Sequence, residues 1–295
     1  MKRIAPVLIA VLALAAMPAS ASNGSSARAG ARWLAARVDP ASNGFAADTL
    51  VAMRAAGVLS RAGARSRAAA LRRGARAYAG GAGQAAKVIL ALAAAGSGSA
   101  RCAGSFDLRI AMGRDYTRGR YGRNAFDDGL ALLALRALRE RVPAAAIGFL
   151  RAARGAGGWN VLLRRGGGPA DDVSSTAIAI LALRAAGVSR RDRGLRAGLA
   201  WMARQRTRSG GFALGRRDRN EANSTALAIE AERAMGRTDR RAARVLRGLQ
   251  RRDGAFQFTA DDAGSRVIAS TESVVALSGR IPPVGRVHRH PSRCR

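Results

Sequence analysis

Gly157-Gly158-Trp159, then Asp172, then Ser175-Thr176-Ala177-Ile178-Ala179-Ile180-Leu181-Ala182-Leu183, closed by Gly187, is the stretch on which the fold turns. A glycine turn carries an aromatic residue, a polar gap follows, and an Ala/Leu-rich run ends at a glycine. The run is apolar on all sides, which marks a helix buried between neighbours rather than a surface helix. Asp172 and the Ser/Thr group can accept from the free N–H groups of a first helical turn, and the closing glycine suits a left-handed C-cap. The same order recurs at Gly210-Gly211-Phe212, Asn223-Ser224-Thr225-Ala226 and Gly236, and again at Gly254-Ala255-Phe256, Ser270-Thr271 and Gly279. Thr176 and Thr225 stand 49 residues apart, Thr225 and Thr271 46. That period fits a helix pair with its loop. Three degenerate copies precede these: Gly44-Phe45 with Asp48-Thr49 and Gly57, Gly83-Gln84 with Lys87 and Gly96, and Tyr121-Gly122 with Asp127-Asp128-Gly129.

The other helix of each unit is amphipathic. Leu195, Leu199, Trp201 and Met202 recur at helical spacing, as do Val245, Leu246 and Leu249, with arginines on the opposite face. The expectation is an all-α chain of six helix pairs with little strand. Each unit supplies one amphipathic outer helix and one apolar inner helix.

The ends read differently. Met1-Lys2-Arg3, the apolar run Ile4 to Met17 and Pro18-Ala19-Ser20-Ala21 have the charged start, hydrophobic middle and small-residue exit of a secretory signal peptide cleaved after Ala21. The run falls short of the roughly 20 residues a membrane-spanning helix needs. Residues 22–280 form the repeat domain. Residues 281–295, with Pro282-Pro283 and four arginines, read as a flexible basic tail.

The formal net charge is +32, and all 51 basic residues except Lys2 and Lys87 are arginine. Basic domains bind nucleic acid by releasing counterions from phosphates. Here, however, the arginines are scattered over every repeat, and the few aromatics sit at repeat positions instead of forming a stacking platform. Nucleic acid is therefore not the expected partner; for an exported chain an anionic envelope polymer is a better match. Cys102 and Cys294 are the two cysteines. In an oxidising compartment they can pair in one way within the chain, tying the tail to the body, or remain separate.

Gln250-Arg251-Arg252-Asp253-Gly254-Ala255-Phe256 resembles the Q-x3-G-x-W/F motif of squalene–hopene cyclases, and Gln205 to Gly211-Phe212 is the same motif one residue longer. With the recurrent Ser-Thr-Ala helix starts, the chain is similar to the prenyltransferase and squalene-oxidase repeat superfamily from Trp33 to Gly279. Ala85-Ala86-Lys87-Val88 to Gly96, Phe106-Asp107-Leu108 and Tyr121 to Asp128 look closest to secreted bacterial repeat proteins related to the α-barrel of cobalamin carriers. The resemblance implies an α/α toroid, a six-unit α6/α6 barrel whose inner helix N-termini converge on one rim of a central cavity. It also implies an apolar ligand, isoprenoid-like before corrin.

The family's catalytic chemistry is tested residue by residue. Cyclases protonate an alkene from a D-x-D-D-T-A string; here it reads Asp172-Val173-Ser174-Ser175-Thr176-Ala177, and serine hydroxyls cannot supply that proton. Asp127, Asp128 and Asp171 are the substitute catalytic candidates, weighed against a capping role. Prenyltransferase zinc needs Asp, Cys and His together, and the only histidines are His288 and His290 in the tail, so no metal and no cofactor are expected. Tyr116, Arg120 and Tyr121 near Asn124 offer a lyase-like group, although Tyr121 occupies the repeat's aromatic slot. The aromatics Phe45, Tyr121, Trp159, Phe212 and Phe256 are read chiefly as plugs that lock each loop onto the next helix pair.

The leading expectation is a secreted or envelope-associated, non-catalytic protein. It binds a small apolar ligand or an envelope polymer through Asp48, Asn124, Asp127, Asp128, Trp159, Asp172, Ser174, Ser175, Asn223, Ser224, Ser270 and Glu272. The alternatives are a terpenoid cyclase-like or polysaccharide lyase-like enzyme using Asp127, Asp128 or Asp171, and a structural cell-surface protein.

Overall fold

The computed structural model describes residues 22–96, 99–165, 169–214, 219–285 and 294. The leader, His288 and His290 lie outside these. The described residues are mostly helical: α1 (Asn23–Arg37), α2 (Gly44–Ala55), α3 (Arg61–Tyr78), α4 (Ala82–Ala95), α5 (Leu108–Gly113), α6 (Ala125–Ala137), α7 (Ala144–Ala152), α8 (Val173–Ala185), α9 (Arg193–Arg204), α10 (Ala222–Ala234), α11 (Arg240–Gly248) and α12 (Arg266–Ser278). A small antiparallel ribbon of β1 (Cys102–Ala103) and β2 (Phe106–Asp107) precedes α5, a feature the sequence pattern did not indicate.

The even-numbered helices carry the apolar runs and are the buried ones. In α8 every residue from Val173 to Leu183 is buried. The odd-numbered helices bury one stripe, Leu195, Gly198, Leu199 and Met202 in α9 and Ala242, Ala243 and Leu246 in α11, and turn arginines outward. Contacts run in order α2–α4–α6–α8–α10–α12, and α12 in turn packs on both α1 and α2. Alanine permits this close approach: the facing positions of α4, α6, α8 and α10 are dominated by Ala and Leu, and Gly30 of α1 meets Val274 and Phe256 with no room for a Cβ.

Polar links tie the last unit to the first. The Gln250 side chain donates to Ser26 O at 2.9 Å and to Gly254 O at 2.8 Å. Arg247 donates to Asn23 Oδ1, and the Arg266 guanidinium lies 5.1 Å from the Trp33 ring centroid. The repeat glutamine therefore holds a loop and a neighbouring helix together.

The expected helix stops hold. Gly57, Gly96, Gly187, Gly236 and Gly279 all take positive φ just past their helices, between 65° and 95°. After α6 no glycine is available and Arg139 adopts φ 59° instead. The tail departs from expectation at its start: Pro282, Pro283 and Val284 lie against the body, and Gly285 passes tightly over Ala93 and Ala94 at the end of α4. Cys294 is joined to Cys102 in a disulfide, with Cα atoms 5.4 Å apart.

Candidate functional site

Residues spaced three or four apart on all six even-numbered helices line a cavity of about 220 Å³. Phe45, Phe126 and Ile268, each in the first turn of its helix, stand at one end, where Phe45 is 44% and Ile268 37% exposed. Val51, Leu90, Leu133, Leu181 and Val275, one or two turns further along, form the apolar wall. Pro282, Pro283 and Val284, which follow the C-terminus of α12, also line it. The exposed Phe45 and Ile268 mark a mouth beside the helix N-termini.

The wall is charged along one side. Lys87 Nζ donates to Asp48 Oδ2 at 2.7 Å, bridging α4 and α2. Their side chains keep 34% and 29% of their surface accessible because they face the cavity. Desolvation pushes the Asp48 carboxyl up despite Lys87, and Asp48 holds Lys87 above the usual lysine range in spite of burial. Beside Asp48, on α12, burial and the Asp48 charge raise Glu272 to about 8, an effect that Lys87 and a hydrogen bond from Asn223 partly offset. Its Oε2 is buried and has no hydrogen-bond partner among the described residues. On α10, Glu230 is 4% exposed, and burial, with Glu272 nearby, raises it well above its ordinary value against the opposing charge of Arg233. This side therefore holds the Asp48–Lys87 ion pair and two carboxyls whose charged forms burial disfavours, Glu272 at about 8 keeping its proton at neutral pH.

Of the residues expected to bind ligand, Asp48 and Glu272 line this cavity and Asn223 hydrogen-bonds Glu272. The others are engaged elsewhere. Asn124 caps α6 by accepting from Phe126 and Asp127 N–H, and Asp172 caps α8 by accepting from Ser175 N–H at 2.7 Å. Asp127 accepts from Arg123 N–H and the Asn124 amide. Asp128, 2% exposed, accepts from Tyr121 N–H at 2.5 Å and from Gly122 N–H, and burial raises it to about 6. Asp171 accepts from Gly157 and Gly158 N–H. All three catalytic candidates thus hold loop backbone.

A shared device emerges. Tyr121, Trp159, Phe212 and Phe256 are each at most 2% exposed. Their N–H groups donate to Asp128, Thr176, Thr225 and Ser270, all near the start of an even-numbered helix. Trp159 also donates through Nε1 to Leu150 O at 2.7 Å. Ser174 and Ser224 hydroxyls meet at 3.3 Å, and Ser175 is buried. These four aromatics are plugs, whereas Phe45 is the exception and stands at the cavity mouth. Arg120 is occupied by Gly122 O and Leu162 O, and Tyr116 packs 4.6 Å from the Tyr121 ring, so the lyase-like trio is part of a loop lock.

The sequence pattern missed Lys87 and Glu230 as site residues. Part of the signal was present: Lys87 is the one charge in the apolar run of α4, whereas Glu230 shares α10 with Glu232 and Arg233 and does not stand out from them by spacing. Among the described residues no group of three or more His, Cys, Asp or Glu side chains could hold a metal ion. Likewise no helix is long and apolar enough to cross a membrane. No protein-family model matches the chain, and no curated protein matches it.

Proposed function

We propose that this chain is an exported α/α toroid of the prenyltransferase and squalene-oxidase repeat type that binds a small, largely apolar molecule in its axial cavity. The observation that carries the reading is the cavity itself: largely apolar, charged along one side, and lined by all six even-numbered helices. The return of helix contacts from α12 to α2, and the Gln250 tie to Ser26, support the toroid. The disulfide and the leader sequence support export.

Size limits the ligand. A cavity of about 220 Å³ exceeds the ~150 Å³ that accepts benzene but lies below the ~300 Å³ at which drug-sized pockets begin. A corrin is far too large, and a polymer could enter only by a chain end. A short aliphatic or single-ring compound fits, with any longer portion leaving past Phe45. The engagement of Asp127, Asp128 and Asp171 with backbone N–H groups favours binding over catalysis.

Calorimetric titration with n-alcohols of increasing length tests this. Affinity should climb about fourfold per methylene, from ~0.8 kcal/mol each, until the cavity is filled, then level off. Leu130→Trp, which fills the lumen, should abolish binding while far-UV circular dichroism is kept. Binding that ignores chain length, or survives Leu130→Trp, would refute an axial site.

A further inference from the structure

Ion pairing along the charged wall is lopsided. Lys87 is committed to Asp48 at 2.7 Å, which leaves Glu272 and Glu230 on the neighbouring helices without a cation of their own inside the cavity. Arg233, the charged group facing Glu230, donates to Ala276 O at 2.9 Å. Glu272 Oε2 is buried without a partner among the described residues, and Glu230, 4% exposed, lines the same cavity on the neighbouring helix. A buried carboxyl oxygen ordinarily finds a partner, so an orphaned one beside a second acid on the cavity wall describes a complementary head group that is supplied from outside.

We propose that the cavity selects organic cations, taking the ammonium head of a small amphiphile between Glu272 and Glu230 with its apolar body along Leu90, Leu130 and Leu181. The proposal rests on the small-molecule reading above and assigns its ligand class. An ammonium carries three donors and no acceptor, which suits carboxylate oxygens and not Lys87. A carboxylate ligand would have to displace Asp48 from Lys87 and face two further acids. The chain's net positive charge does not decide the matter, since exposed arginines are screened over about 8 Å in physiological salt.

Binding is coupled to protons. Glu272, at about 8, holds its proton at neutral pH, so an incoming ammonium ion releases that proton to solution and forms a carboxylate–ammonium contact. The groups facing Glu272 are Asp48 on α2, Lys87 on α4, and Glu230 with Asn223 on α10. Tyr78 on α3 lies near Lys87 and Asp48, and Arg266 at the start of α12 is taken up by Asp253 and the Trp33 ring. Glu272, at about 8, is the group that yields the proton.

The test compares an n-alkylamine, the n-alcohol and the n-carboxylate of one chain length on the full mature protein by titration calorimetry from pH 6 to pH 9. The amine should bind at least tenfold tighter than the alcohol at pH 8, gain about tenfold per pH unit up to that point, and release close to one proton as read in buffers of different ionisation enthalpy. Glu272→Gln and Glu230→Gln, which mimic the protonated forms, should each reduce the amine preference, and Glu272→Gln should abolish the pH slope. Equal binding of amine and alcohol at every pH would overturn the cation proposal and leave the apolar cavity standing. Tightest binding of the carboxylate would overturn it and assign the head group to Lys87. A preference untouched by both substitutions overturns it as well, and failure of all three compounds to bind removes the small-molecule reading itself.

Discussion

Glu272→Gln should make the folded protein less sensitive to rising pH. Glu272 keeps its proton in the folded cavity wall up to about 8, against an ordinary value of 4.5. Between those values the folded state binds a proton that the unfolded chain has released, so this group lowers stability as pH rises and favours the fold most on the acidic side. One pK unit corresponds to about 1.36 kcal/mol, and a shift of this size costs about 2.5 kcal/mol between pH 5 and pH 7. Water entering the open mouth screens part of that, giving an expected range of about 1 to 2.5 kcal/mol. Urea unfolding at pH 5, 6 and 7 reads it directly. The variant should match the wild type within about 1 kcal/mol at pH 5, where both carry an uncharged group, and be the more stable protein at pH 7. Asp128 and Glu232, raised to about 6 and about 7, titrate in both proteins and cancel in the difference. A wild-type to variant difference that stays constant over this range would refute the protonated carboxyl and the dry wall behind it.

Thr176→Val keeps the side-chain shape but removes the acceptor for the buried Trp159 N–H at 3.0 Å. It should cost about 1–3 kcal/mol in urea unfolding. Thr225→Val should cost a similar amount through Phe212 N–H, since the two hydroxyls do the same work. Arg139→Gly should raise stability by about 0.5–1 kcal/mol, seen as a higher thermal midpoint, because Arg139 occupies a positive-φ C-cap that glycine fills in the neighbouring units.

Helix type, helix ends and the buried aromatics were legible in the sequence because each depends on residues within a turn or two. The apolar run Ala177 to Leu183, the cap Asp172 and the stop Gly187 interact with their own helix, so their spacing is sufficient evidence. Trp159, Phe212 and Phe256 were legible for a related reason: the repeat aligns each with a Ser/Thr at the next helix start. Asp127, Asp128 and Asp171 were left between a catalytic and a capping role because an acid at a helix start looks the same whether it faces a cavity or a loop. Only the backbone path of Tyr121–Gly122 and Gly157–Gly158 turns them to N–H groups.

What the sequence by itself determined was an all-α repeat with alternating apolar and amphipathic helices. The cavity's chemistry was decided by the tertiary structure alone. Asp48, Lys87, Glu230 and Glu272 lie on four different helices, and Asp48 and Glu272 belong to the first and last units. They meet because α12 packs on α2. A lone charge in an apolar helix announces that it needs a partner, but which partner it finds depends on the order in which the helices pack. Pairing between charges and their protonation depend on separation in space, and no local spacing in the chain encodes that distance.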